Sequence, residues 1–375
     1  MERDIFLIGG GQTKFGEWWG RSLRDLIEEA VEAAFKDAPC TALDIDLVVI
    51  ANMLGEIGSH QAQLGSLASS LLPHRPPAVR VESACASGAL ALHTACAFLE
   101  SGRAKTVLCI GAEKMTDASP DAIAEGLMGA ADAEVDRPSG ITFPGLFGLI
   151  AARYMHEYGL TRDDLSLVSA VHHSNACHNP FAQFHSTITP EAVSRSPLVS
   201  DPLRLLDCSP VTDGAAACIL STQMPSDLRL RASQVATDTL SLTQRATLTS
   251  FSATKDAMGK ALTEAEISRS EIGVLETHDC FSIAAIINME DLGFAEPGRG
   301  VEIYRALHRG KHAPFPVNLS GGLKGCGHPV AATGIKQLLD VGKALRKNDG
   351  AIGLAHNFGG AAATAAIHIL ERTHA

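Results

Sequence analysis

The sequence predicts an α/β protein built from two similar halves, and three observations support this prediction. Short apolar runs typical of buried parallel strands, such as residues 45–51 (IDLVVIA), alternate with segments whose apolar residues recur at helical spacing. Apolar residues make up 46% of the 375 residues but aromatic ones only 5%, which favours helices packed closely on sheets. The order of strands and helices in the first half returns in outline in the second.

Periodicity places the elements in chain order. In the first half we predict strands at 5–9, 45–51, 78–81 and 106–111, and helices at 22–35, 61–72 and 84–100. A polar excursion with helical pieces at 146–158 and 165–174 follows, and a buried strand returns at 211–220. In the second half we predict strands at 228–237, 272–277, 351–356 and 362–370, and helices at 253–262, 281–292 and 328–345.

These elements group into three regions. Residues 1–114 and 203–225 are predicted to form the first α/β half, residues 115–202 an inserted loop domain, and residues 226–375 the second half. The spacing of the halves is similar: Cys85 and Glu113 are 28 positions apart, and so are His328 and His356. A pseudo-twofold relation between the halves would bring two helix N-termini to one central site.

Charge and composition exclude several classes of protein. A net charge of −11 argues against a general nucleic-acid or anionic-membrane surface. No apolar segment approaches the ~18 residues needed to span a bilayer, and the N-terminal residues read as a strand and turn instead of a signal peptide. Nine cysteines without disulfide-scaffold spacing predict reduced thiols in a cytoplasmic protein.

Cys85, in the motif VESACASG, is the first candidate for chemistry. A β-favouring run precedes it and an Ala- and Leu-rich helix is predicted from Ala84, which would place the thiol at the first helical turn. There the free backbone N–H groups and the helix dipole favour an anion, so we expect the thiol to ionise more easily than one in mid-helix. A thiolate at a strand-to-helix corner suits covalent catalysis, although most cysteines in such chains are simply buried.

Three later motifs accompany Cys85. In ETHDCF, His278 and Cys280 follow a buried strand at a helix entry. In NLSGGLKGCGHP, His328 follows four glycines and precedes a proline suited to a first helical turn. HNFGG, residues 356–360, ends another buried strand with two glycines, a shape suited to presenting backbone N–H groups to an oxyanion.

These motifs, in this order and at these distances, resemble the thiolase superfamily over nearly the whole chain. The HDCF form resembles the sterol-carrier-protein-type thiolases and their archaeal and bacterial relatives. The combination of GGLK, GHP and AATG is highly specific, whereas CxS alone is weak. The resemblance implies α-β-α-β-α layers with an inserted loop domain.

The resemblance also implies roles for individual residues. Cys85 would be the nucleophile that takes the acyl group, and His328 would accept its proton. His278, where better-known thiolases have Asn, would form with His328 the oxyanion hole for the enolate-forming thioester. Backbone N–H groups of Cys85 and Gly359 would form the other oxyanion hole.

One departure from the family pattern matters. Most thiolases carry a second reactive Cys in a CxG motif, and Asn357 occupies the aligned position here. In the sterol-carrier-protein type the Cys of HDCF supplies the missing acid/base, so Cys280 would inherit that role. Asn357 and His356 are possible supporting residues.

The resemblance implies coenzyme A as co-substrate, with no tightly bound cofactor and no metal. It further implies acyl-CoA substrates, a homodimer or homotetramer, and, as for many such relatives, a small partner with an oligonucleotide-binding-like fold and a zinc ribbon. The reaction would be cleavage of a 3-ketoacyl-CoA with CoA or condensation of two acyl-CoA molecules. Alternative functions are a ketosynthase- or aldolase-like carbon–carbon bond enzyme, or a catalytically silent subunit of an acyl-transfer complex.

The remaining cysteines and histidines are expected to be structural. A histidine-rich cluster suggests zinc, but its spacing fits no standard ligand pattern; its members are His172, His173, Cys177, His178 and His185. Cys326 is expected to be a packed turn residue.

Overall fold

The computed structural model describes residues 4–310, 315–348 and 351–373, so the outermost ends of the predicted domain ranges lie outside it. The first half begins with β1 (Ile5–Gln12), α1 (Leu23–Asp37), β2 (Leu47–Ala51), α2 (Gly55–Gly58), α3 (Leu64–Ser69), β3 (Ala78–Val81), α4 (Ser87–Glu100) and β4 (Thr106–Glu113). Ser22 and Asp25 form a capping box that fixes the start of α1. All residues of β2 are buried, as its continuous apolar run predicts.

A long inserted segment separates β4 from β7 (Gly214–Ser221), as the polar and weakly periodic sequence of this region predicted. It contains α5 (Pro120–Leu127), α6 (Phe143–Tyr158), α7 (Arg162–Ala176), α8 (Pro190–Arg195), β5 (Leu198–Ser200) and β6 (Leu203–Arg204). The second half comprises β8 (Leu228–Thr237), α9 (Ser252–Ala265), β9 (Val274–Glu276), α10 (Ser282–Asp291), α11 (Val301–His308), α12 (Gly322–Cys326), α13 (Thr333–Asn348), β10 (Ile352–Gly359) and β11 (Thr364–Arg372).

The order of the strands shows the internal repeat. The main sheet runs β3-β2-β4-β7-β1-β8-β11-β10-β9, and the two halves meet where β1 pairs with β8. Read outward from that junction, β7 and β11 are each antiparallel to both neighbours, while the outer pairs are parallel. A parallel bridge between Leu275 and Val317 supplies the second-half counterpart of β3. The predicted repeat is therefore confirmed as a mirrored strand order.

Two central helices, α4 and α13, pack on each other and on strands of both halves, while α1 and α9 cover the outer faces. This gives the five layers that the resemblance implied. Glycine permits the closest approach of the central helices: a Cβ on Gly88 would lie 2.4 Å from the carbonyl oxygen of Ala331, and one on Gly334 2.3 Å from the amide nitrogen of Ala89. No helix in the described part of the chain is long and apolar enough to cross a membrane.

Several predicted helix starts were wrong. The helix predicted from Ala84 begins at Ser87, the one from His328 begins at Thr333, and the one predicted over 61–72 covers only Leu64–Ser69. Ala84 adopts a left-handed φ of 48° and Gln63 one of 53°, conformations that a helix cannot continue through. The two spacings of 28 residues do not join fully equivalent positions. Glu113 is the last residue of β4, whereas His356 lies inside β10.

Candidate active site

The site forms where loops from both halves meet. The loop after β3 brings Cys85, the loop after β9 brings His278, and the loop before α13 brings His328. The Cys85 Sγ atom and one ring nitrogen of each histidine all lie within 4.8 Å of one another. The two imidazole rings are perpendicular, with centroids 5.2 Å apart. Three residues separated by up to 243 positions along the chain therefore converge on one point.

Cys85 lies two residues before α4 in a tight corner. The Ser87 hydroxyl donates to the carbonyl oxygen of Ala84 and accepts from the amide of Ser83, which fixes the left-handed Ala84. The thiol is 4% exposed. Burial, aided by the charge of Glu113, raises its pKa to about 12, although a hydrogen bond from the Gly360 amide acts in the opposite direction. At neutral pH the Cys85 thiol of the substrate-free protein is therefore protonated. Burial also raises the pKa of Cys96, in the middle of α4, so the expected advantage of Cys85 over a mid-helix thiol stays a prediction.

His278 is held by Asn357. The Asn357 side-chain nitrogen Nδ2 lies 2.9 Å from Nδ1 of His278. An amide NH2 group only donates, so Nδ1 is the acceptor and the ring proton resides on Nε2. That Nε2 is buried and has no hydrogen-bond partner among the described residues. Burial, with the neighbouring rings of His328 and His356, keeps the pKa of His278 well below its usual range, so His278 presents a neutral N–H donor to the site.

His328 has the opposite tautomer. Its Nδ1 lies 2.7 Å from the Thr333 hydroxyl oxygen, and that hydroxyl donates to the carbonyl oxygen of Pro329 at 3.2 Å. The hydroxyl therefore accepts from Nδ1–H, which leaves the lone pair on Nε2. This Nε2 is also buried and unpartnered in the described part of the chain. Burial lowers the pKa of His328 to about 4, so His328 presents a neutral acceptor.

Cys280 follows His278 on the other side of Asp279 and is 3% exposed. Burial, followed by the charge that Cys85 would carry when ionised, raises the pKa of Cys280 well above its usual value. The Ser209 amide donates to its carbonyl oxygen at 2.8 Å, so the residue is fixed from the polypeptide leading into β7. Cys280 does not belong to the group of three atoms within 4.8 Å. Its raised pKa keeps it a protonated thiol, and the influence of a charge on Cys85 indicates that the two sulfurs are neighbours.

The end of strand β10 forms part of the site, next to the Cys85 corner. A Cβ on Gly359 would lie 2.1 Å from the carbonyl oxygen of Ser83, so only glycine lets this strand end reach the Cys85 corner. Gly360 has a φ of 63° and directs its amide to the Cys85 sulfur. His356 lies deeper: its two ring nitrogens contact the hydroxyls of Thr254 and Thr277 at 3.1 and 2.9 Å.

The loop segment between β4 and β7 lines the site. Met115 and Ile123 pack with Leu54 and Val330 around Cys85. Phe147 stacks on Phe281 with ring centroids 4.4 Å apart, and His278 lies 4.1 Å from the ring of Phe358. These apolar contacts bury the reacting groups away from water.

Sequence reasoning missed two positioning residues. Asp279 accepts hydrogen bonds from the amides of Leu323 and Lys324 at 2.7 and 3.2 Å, and its carboxylate lies 2.6 Å from His172 Nδ1. It therefore ties the HDCF loop to the glycine-rich loop that carries His328. Thr333, described above, sets the tautomer of His328. Both lie inside quoted motifs, at the centre of HDCF and in AATG, and this location was the available signal.

The histidine-rich cluster of α7 is dispersed. His172 pairs with Asp279, His173 Nδ1 contacts the carbonyl oxygen of Ser186 at 3.1 Å, and the Cys177 thiol donates to the carbonyl oxygen of His173. Cys326 is fully buried and accepts from the Asn179 amide at 3.5 Å, as a packed turn residue does.

Comparisons with known proteins identify similar sequences and structures. The family model "Thiolase, N-terminal domain" matches residues 5–224 and "Thiolase C-terminal domain-like" matches residues 234–372. An acetyl-CoA acetyltransferase of Methanothermobacter thermautotrophicus is 42% identical over 99% of this chain and 100% of its own. Human sterol carrier protein 2 is 28% identical, covering 95% of this chain and 70% of its own.

A solved structure described as an Ltp2–ChsH2(DUF35) aldolase has a TM-score of 0.83 at 22% identity and covers 97% of each chain. At that identity the likeness concerns the fold alone. The two family models together cover most of the chain, and the acetyltransferase relative matches nearly all of it. The chain therefore belongs to the thiolase family and is a thiolase-type acyltransferase.

Proposed function

We propose that acyl transfer proceeds through a thioester on Cys85. The observation that carries this proposal is the pair of opposite tautomers around the sulfur: His328 offers a lone pair and His278 offers an N–H, both without partners in the described residues. A nucleophile needs an adjacent acceptor for its proton, and the oxygen that becomes negative needs a donor. One site supplies both.

In the first half-reaction the Cys85 sulfur attacks the thioester carbonyl of an acyl-CoA while its proton passes to Nε2 of His328. The resulting oxyanion is bound by the backbone N–H groups of Cys85 and Gly359. The C–S bond to CoA then breaks, His328 returns the proton to the departing thiolate, and CoA leaves. Because the resting thiol has a pKa of about 12, proton transfer accompanies attack instead of preceding it.

In the second half-reaction Cys280 acts as acid/base at the α-carbon of a second acyl-CoA. In the condensing direction the Cys280 proton first passes to Nε2 of His328, and the Cys280 thiolate then removes the α-proton. The enolate oxygen receives hydrogen bonds from the Nε2–H groups of His278 and of the protonated His328. The enolate carbon then attacks the Cys85 acyl group, and the departing Cys85 thiolate takes the proton from His328. Thiolysis runs the same steps in reverse, so either direction uses the same residues.

The experiment is intact-mass detection of the acyl adduct after mixing with short- and medium-chain acyl-CoA. We expect one acyl group per chain in the wild type, none in Cys85→Ala, and a normal adduct in the control Cys177→Ala, whose half-buried thiol lies outside the site. A fully active Cys85→Ala variant would refute the proposal. Acetyl-CoA release from a 3-ketoacyl-CoA should require free CoA; release without it would favour the aldolase-like alternative.

We propose that residues 115–202 select the acyl chain, supported by the packing of Met115, Ile123 and Phe147 around the site. Coenzyme A acts as co-substrate and no cofactor is held tightly.

The nine free thiols support a cytoplasmic location. A second copy of the chain would cover the edge strand β3, which has one neighbour in the sheet. The small accessory partner is supported by the two-component aldolase of the same fold.

A further inference from the structure

The three converging groups are also a donor set for a metal ion. A thiolate and two imidazole nitrogens are ligands that Zn²⁺ binds in tetrahedral sites, with a water in the fourth position. The Sγ of Cys85 and the ring nitrogens of His278 and His328 lie within 4.8 Å of one another, all buried. The Nδ1 atoms already face Asn357 and Thr333, so the free ligand atoms are the two Nε2 atoms.

The second layer of contacts fits metal binding as well. A metal-bound histidine donates its other ring N–H to an acceptor that fixes its orientation, and His328 does so to Thr333. His278 would have to move its proton from Nε2 to Nδ1. Asn357 can then accept it, because its Oδ1 is buried and unpartnered in the described residues, and a half-turn of the amide brings Oδ1 to Nδ1.

We propose that Cys85, His278 and His328 bind one Zn²⁺-class ion in the substrate-free protein, and that this ion and acyl-CoA exclude each other. One S–Zn and two N–Zn bonds form, the Cys85 proton leaves to solvent, and no electron is transferred. The thiolate leaves a net charge of +1 on the centre, and the charge of Glu113 acts on the same sulfur. This proposal uses the groups of the proposed function, but it describes an inhibited state.

The test measures binding without substrate. Metal-free protein is titrated with Zn²⁺, and iodoacetamide labelling of Cys85 and Cys177 is compared by peptide mass mapping. Zn²⁺ should protect Cys85 stoichiometrically and leave Cys177 labelled, whereas Mg²⁺, which prefers oxygen ligands, should protect neither. Co²⁺ should give tetrahedral d–d bands and a thiolate-to-cobalt band that Cys85→Ser removes.

Asn357 variants separate this geometry from unspecific thiol binding. Asn357→Ala removes the contact to His278 and should weaken zinc affinity about 10- to 100-fold. Asn357→Asp provides a permanent acceptor for Nδ1–H and should strengthen it. Equal protection of both cysteines, a cobalt spectrum unchanged in Cys85→Ser, or unchanged affinity in both Asn357 variants would overturn the metal site.

The metal-free protein is also mixed with acetyl-CoA and examined for the Cys85 adduct. A normal adduct without zinc protection refutes the metal site and leaves the proposed function intact. Zinc protection of Cys85 without formation of an acyl adduct supports the metal site and refutes the proposed function.

Discussion

Asn357→Asp is the sharpest test of the proposed tautomers. The wild-type amide donates to Nδ1 of His278 across 2.9 Å and so holds the proton on Nε2. A carboxylate of the same shape can only accept, and its hydrogen bond from Nδ1–H favours the ionised form. The substitution therefore moves the ring proton to Nδ1 and turns the Nε2 donor into an acceptor, with almost no change in volume.

The magnitude follows from the role of that donor. Losing one hydrogen bond to a developing oxyanion costs about 10²- to 10³-fold in rate, or about 2.7–4 kcal/mol. In the proposed mechanism His278 donates a hydrogen bond to the enolate oxygen, whereas the oxyanion formed during acylation of Cys85 is bound by backbone N–H groups. Asn357→Asp should thus slow condensation and thiolysis by that factor while acyl-Cys85 still forms at a rate close to that of the wild type.

The assay follows both half-reactions at pH 8, acylation by rapid quench and intact mass, and condensation by 3-ketoacyl-CoA formation. The ratio of the two rates is the readout, because unfolded protein contributes to neither. Asn357→Ala is the control: it removes the anchor without imposing the other tautomer, so its loss should be smaller. Nitrogen-15 NMR of His278 reports the tautomer directly. Equal loss in both half-reactions, or a condensation rate within threefold of the wild type, would refute the reasoning.

Three further predictions address the other groups. Thr333→Val leaves Nδ1–H of His328 buried without an acceptor, so it should lower the free energy of unfolding in urea by about 1–3 kcal/mol and slow acylation. Thr333→Ser should restore both stability and rate. A Val variant with unchanged stability and rate would contradict the role of Thr333 as the acceptor for His328. Cys280→Ala should still form the acyl adduct but lose about 10²- to 10⁴-fold in the carbon–carbon step, and equal loss in acylation would place Cys280 elsewhere. Because the Cys85 pKa is about 12, the thiolate fraction and the iodoacetamide labelling rate should rise about tenfold per pH unit between about pH 7 and 10; a plateau below pH 8 would indicate a preformed thiolate–imidazolium pair.

Strands were predicted better than helix starts, for a physical reason. A strand is predicted from a local run of apolar and β-branched residues, and the half-buried β3 and the partly buried β8 begin and end where the sequence predicts. The start of α4 depends instead on a distant contact. Gly359 packs against the carbonyl oxygen of Ser83, where a Cβ would lie 2.1 Å away, and the Ser87 hydroxyl donates to the carbonyl oxygen of the left-handed Ala84. A helix-favouring local sequence contains no sign of that packing.

For the site, too, one part could be predicted from the sequence and another could not: the residues were predicted, but their protonation states were not. Motifs with unusual composition identified Cys85, His278, Cys280 and His328, and the structure brings the first, second and fourth together. Their chemical states could not be predicted, because each depends on a partner or a degree of burial set by the fold. His278 takes its tautomer from a residue 79 positions away, and Cys85 has a raised pKa because burial outweighs its place near a helix start.

The fold also explains why this chemistry requires both halves. Cys85 stands three residues before Gly88 and His328 six residues before Gly334, and at those glycines the backbone of α4 lies against the backbone at the start of α13. The separation of Cys85 and His328 is therefore set by the packing of these two backbones. Of the groups in the proposed mechanism, the first half contributes the Cys85 corner, while the second contributes both imidazoles, the second thiol and the strand end that reaches Cys85. The two strand-to-helix corners occupy corresponding places in the two halves, and in the proposed mechanism one carries the nucleophile and the other its proton acceptor.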